Sequence, residues 1–120
     1  MSDMGKITDQ KNVLIDTIRD GKIYNRYESA RKALIPYPDK KAQADGIRRQ
    51  AYLLTSSENR EDPEQIRLLL EERSRLQADP LIAEYLNAER DLCRMLQRIC
   101  MEILNVADLE LDAFADVIQS

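Results

Sequence analysis

Eight positions in the last third of the chain follow one another in steps of three and four: Ile82, Tyr85, Glu89, Leu92, Leu96, Ile99, Ile103 and Val106. This is the a/d rhythm of a helix packed along one side. A second row, Leu86, Cys93, Cys100 and Ala107, runs beside it at intervals of seven. The apolar face is therefore broader than a two-stranded seam requires. The pattern predicts a long helix that organises the rest of the chain.

Shorter periodic stretches precede it. Val13, Leu14, Ile15 and Ile18 give an apolar side to a helix over about Thr8 to Arg19. Asp20-Gly21 then breaks or bends the chain, Gly favouring a helix end and Asp a capped restart. Ile23, Tyr27, Ala30 and Leu34 form the stripe of a second helix from about Lys22 to Leu34. Ile35-Pro36-Tyr37-Pro38 ends it, because proline removes donors and biases its predecessor away from helix. Asp39 reads as the N-cap of a third helix from about Lys40 to Leu54, with Ala44, Ile47, Ala51 and Leu54 on one face. Gly46 inside it costs roughly 1 kcal/mol relative to alanine. The polar run 56–61 is a connection. Asp62-Pro63 and Asp79-Pro80 are two copies of one start signal, an N-cap followed by proline at the first helical position. They open a fourth helix to about Gln77, carrying Ile66, Leu69, Leu70, Arg73 and Leu76, and the long fifth to about Val106.

The fold class is thus all-α: a single domain spanning 1–120, a bundle or array of about five helices with one long C-terminal helix. Its core covers about 8–107. Residues 108–120, with Leu109, Leu111, Phe114, Val117 and Ile118, form a short amphipathic segment expected to fold back onto the bundle. Composition agrees. Gly 3, Pro 4 and 5% aromatics leave too few turns for a sandwich or barrel. Hydrophobic residues at 43% and charged residues at 33% suit one modest core under a charged surface. No run of about 18 apolar residues could span a membrane, and the N-terminus has no apolar signal region, so a cytoplasmic protein is expected.

Chemistry is sparse. The chain contains no histidine, which removes the commonest general base and metal ligand together. Cys93 and Cys100 lie about 10.5 Å apart along a helix, too far for a disulfide within it; they are expected to be buried free thiols, the alternative being an interchain bridge or a redox role. No zinc spacing, phosphate loop or nucleophile elbow is present. No catalytic residue, metal site or cofactor is assigned, and no enzymatic activity is expected. Glu89 alone places a carboxylate on the apolar rhythm. It reads either as a stripe position paired with Arg or Lys, or as a device that fixes helix pairing. Lys40-Lys41, Arg48-Arg49 and Arg73/Arg75, with tyrosines nearby, offer a basic-aromatic mixture that could bind single-stranded RNA. The net charge of −4 argues against that.

Three blocks carry a family resemblance. They are Ile23-Tyr24-Asn25-Arg26-Tyr27 followed by Ala30 and Leu34, the run Asp79-Pro80-Leu81-Ile82-Ala83-Glu84-Tyr85-Leu86-Asn87-Ala88-Glu89, and the stripe from Leu92 to Ile103. Together they resemble the YlbF/YmcA family of small helical bacterial regulators, which includes the YheA-like proteins, over most of residues 8–107. The resemblance implies an all-helical, dimeric cytoplasmic protein without enzymatic activity. Some members of that family act in a complex that assists an endoribonuclease in mRNA processing, with effects on competence, sporulation and biofilm formation. Members of that complex can hold iron–sulfur clusters through cysteines, including a cysteine-rich tail. This chain ends Asp116-Val117-Ile118-Gln119-Ser120, so the cluster role does not carry over.

The expected function is regulatory: a non-enzymatic adaptor that works through helix-mediated protein–protein contacts, as a homodimer and with a regulatory protein partner. The candidate association face is Tyr85, Glu89, Leu92, Leu96, Ile99 and Ile103. Its competing reading is internal core. The alternative function is an RNA-binding accessory module using the basic-aromatic faces; on the leading reading, nucleic acid is engaged only indirectly and a membrane not at all.

Overall fold

The computed structural model describes residues 3–56 and 62–106, and among these it contains helices and no strands. They are α1 (Asp3–Asp20), α2 (Lys22–Ala33), α3 (Pro38–Ser56), α4 (Pro63–Gln77) and α5 (Pro80–Val106). The all-α class and the order of five helices match the sequence pattern. Three boundaries differ, one of them the end of α3, which reaches Ser56 at the start of the expected connection. Helix α1 begins at Asp3, upstream of Thr8, and so carries Met4 and Ile7 as well, both exposed. Helix α3 begins at Pro38, so Asp39 lies in its first turn and is not the N-cap. Proline suits that first position, where its missing N–H has no partner to lose.

The two Asp-Pro starts behave as expected. Asp62 accepts from the Glu64 amide at 3.0 Å, and Asp79 accepts from the amides of Leu81 and Ile82 at 2.9 and 3.4 Å. Gly21 separates α1 from α2 as a single extended residue, φ −80° and ψ 162°. The site is tight: a Cβ there would meet the Ile18 carbonyl oxygen at 3.3 Å. The Asn25 side-chain amide donates to the Gly21 carbonyl at 2.8 Å and fixes the restart.

Polar contacts set the directions of the helices. Lys40 meets Asp79, Asp45 meets Tyr85 and Arg48 meets Glu89, so α3 climbs parallel to α5. Short connections bring the C-termini of α2 and α4 to the start of α5, so both run antiparallel to it. Arg26 of α2 clamps this arrangement, donating to Glu84 at 2.8 and 3.1 Å and to Asp91 at 2.8 Å, one heptad apart on α5.

The buried core is formed by Ala30, Leu34, Ala44, Ile47, Leu76, Ile82, Tyr85 and Ala88, with Leu92 at its edge. All the α5 members come from its first half. Helix α1 packs against no element other than α2 among the described residues, and none of its residues is buried. The described fold is a slab of 55 × 37 × 17 Å, no more than two helices deep. Its core sits where α2, α3 and α4 converge on the start of α5. The expected fold-back of 108–120 lies outside the described residues.

Candidate functional site

The six candidate association residues divide along α5. Tyr85 is 2% exposed. Its ring stacks on Tyr27 of α2, centroids 6.0 Å apart, and its hydroxyl donates to Asp45 of α3 at 3.0 Å. Glu89, one turn further, is buried and accepts a hydrogen bond from the Arg48 guanidinium of α3. Leu92 closes the core. Beyond it the same rhythm faces outward: Leu96 is 39% exposed, Ile99 half-buried and Ile103 59% exposed. The structure therefore assigns Tyr85, Glu89 and Leu92 to the interior of the single chain and leaves Leu96, Ile99 and Ile103 as surface. The thiols follow the same division. Cys93 and Cys100 are both exposed in the chain, not buried as expected: Cys93 opens onto a cup between α3, α4 and α5, and Cys100 lies beyond the buried part of α5.

Around Glu89 the charges form a closed network. Burial pushes the Glu89 carboxyl above the ordinary range, with Asp45 acting in the same sense and Arg48 against it. Burial also raises the Tyr85 phenol, and its hydrogen bond to Asp45 adds to the effect. Asp45 is pushed up by burial, but hydrogen bonds from Lys41 and Tyr85 outweigh this and hold it below the usual carboxylate range. Every buried side-chain polar atom among the described residues has a hydrogen-bond partner. Such a network fixes the register of α3 on α5. Of the two readings of Glu89, pairing with an arginine is what occurs, and the partner lies in the same chain.

Beside this network α3, α4 and α5 enclose an open cup of ≈ 280 Å³. Ile47, Ala51, Leu69, Leu70 and Leu86 make its apolar wall, and Arg48, Arg73 and Arg90 stand at its edge with Glu89 and Cys93. Burial, then Glu89, push the Cys93 thiol up. The cup was not visible in the sequence, since Leu70 and Arg73 read there as inward positions of α4. Leu70 is in fact 56% exposed.

The basic residues proposed for RNA are largely committed to neighbours. Lys40 pairs with Asp79, Lys41 with Asp45, Arg48 with Asp45 and Glu89, and Arg75 with Glu72. By contrast the apolar residues of α1 are uncovered: Met4, Ile7, Val13, Leu14 and Ile15 are all exposed. The stripe Met4, Ile7, Leu14, Ile18 has helical spacing and could have been read from the sequence. It begins just upstream of the helix start assigned there. Since α2 is antiparallel to α5, α1 leaves the core at the end from which the second half of α5 also emerges. The structure thus presents two amphipathic helices with uncovered apolar sides at one end of the slab.

A family model described as control of competence regulator ComK, YlbF/YmcA, matches residues 7–105. The chain belongs to the YlbF/YmcA family. Comparisons with curated proteins and with solved structures find no match. The YlbF/YmcA match spans nearly all of α1 and of the outward half of α5 as well as the core. Both uncovered arms are therefore part of the family domain, whereas residues 106–120 lie outside it. The family description names a regulatory role, and no described helix of this YlbF/YmcA protein is long and apolar enough to cross a membrane.

Proposed function

We propose that this protein is a non-enzymatic cytoplasmic regulator that works as a homodimer, with α1 and the second half of α5 forming the pairing surface. The observation that supports it is the stranded apolar side of those two helices, within the span that matches the family. Isolated helices gain most of their stability from packing an apolar face, so uncovered stripes of this length favour a partner. The paired arms, and the charged surface around them, would present the regulator to a protein partner in control of competence or mRNA processing.

Sedimentation at micromolar concentration tests it. The expected mass is twice the 13.9 kDa of one chain. Leu96→Glu places a charge in the pairing surface and is expected to weaken dimerisation about 100-fold or more while leaving the helix content unchanged. A wild-type protein that sediments as a monomer throughout this range would sink the reading. In the native cell, the Leu96→Glu allele should behave as a loss-of-function allele in competence.

A further inference from the structure

We propose that the cup between α3, α4 and α5 is the docking site of the chain's own C-terminal segment, residues 108–120. The apolar side chains of that segment would fill the cup, and its carboxylates would face the arginines of the rim. Charge complementarity selects this occupant. The segment carries Asp108, Glu110, Asp112 and Asp116 and no Lys or Arg. The rim presents three arginines, of which Arg48 is paired with Asp45 and Glu89 and Arg90 with Asp91, so Arg73 is the cation it offers to an incoming carboxylate. Arg73 has no ion pair among the described residues. On a chain of net charge −4, an arginine without an ion pair beside an apolar cup is the point to which an acidic segment is drawn.

Size and reach agree. A cavity of ≈ 280 Å³ lies at the lower edge of the ligand-pocket range of about 300–1,000 Å³. It has room for a few side chains such as Phe114, Val117 and Ile118. From Cys93 at the cup to the end of α5 at Val106 is about 20 Å along the helix. The chain from Val106 to Phe114 spans up to about 26 Å when extended, enough to return to the level of the cup within one molecule. The segment lies outside the family match, which covers residues 7–105. Docking would hide Cys93 and leave Cys100, a heptad away, as a reference thiol.

Maleimide labelling of the full chain, followed by mass spectrometry, tests the proposal. Phe114→Asp and, separately, Arg73→Glu should each speed the labelling of Cys93, by about tenfold if the docked state is about tenfold favoured, with Cys100 unchanged. A second variant, Phe114→Cys in a Cys100→Ser background, should form a disulfide with Cys93 within one chain on mild oxidation. Equal Cys93 rates in all full-length proteins overturn the proposal, and so does a disulfide that forms only between chains, which would give the cup to the tail of a second copy.

Discussion

The two halves of α5 carry the same apolar rhythm and meet opposite fates. From Ile82 to Leu92 every a/d position is buried, whereas from Leu96 to Val106 the positions are exposed or half-exposed. Their aliphatic side chains do not distinguish them, since Ile82 and Ile103 are the same residue at equivalent positions. The difference lies in chain connection. The short links at 34–37 and 78–79 bring the ends of α2, α3 and α4 together at the start of α5. These helices cover its first three turns, and α1 departs from the bundle at Gly21. Periodicity states which side of a helix is covered. Topology states how far along, and by which chain.

Substituting the two isoleucines in parallel is the strongest way to break this comparison. Ile82→Ala removes a fully buried side chain and should cost about 3 kcal/mol in urea unfolding, independent of protein concentration. Ile103→Ala should cost less than about 0.5 kcal/mol in dilute protein. At concentrations where the proposed dimer forms, its cost should grow, because the wild-type midpoint then rises with concentration and the variant's rises less. A large, concentration-independent loss from Ile103→Ala would mean that the second half of α5 is packed within one chain.

How much was legible follows the same division. Helix number and type were readable because capping is local: the Asp-Pro pairs bond their own next residues, and Gly21 bends its own turn. The core positions of α2 and α3, Ala30, Leu34, Ala44 and Ile47, also emerged from simple stripes. The site was less readable. Glu89 stood out as a misfit, but its partner Arg48 lies far off in sequence and appeared only as half of a basic pair. The cup depends on where Leu70 and Arg73 sit relative to Leu86 and Cys93, a tertiary relation with no local signature. The exposure of Cys93 and Cys100 escaped a reading based on the usual burial of thiols, because it depends on how closely α3 and α4 pack on that part of α5, a tertiary relation.

Glu89 gives a smaller effect with a definite sign. Its carboxyl is raised in the folded protein, so its contribution is present below the unfolded pKa and is lost as pH rises through the folded one. Asp45 is lowered, so its contribution is present above the unfolded value and lost as pH falls through the folded one. Glu89→Gln keeps the shape and removes only the first effect. Relative to wild type, the variant should gain stability as pH rises from about 4 towards 7. The check is a series of urea unfolding curves across that window. The opposite slope would show that the Arg48 pairing outweighs burial, making Glu89 a net stabiliser of the packed half.

The smallest expected change is Gly46→Ala, within the packed half. Gly46 lies inside α3, and a Cβ there would meet no atom within 4 Å. Alanine lowers the entropy of the unfolded chain and raises helix propensity, so the variant should be more stable by about 0.5–1 kcal/mol. The gain should be the same at low and high protein concentration if pairing uses only α1 and the second half of α5. A gain seen in dilute protein that vanishes as the dimer forms would mean that another chain approaches Gly46 closely. The boundary between the packed half and the pairing half would then run through α3 as well as α5.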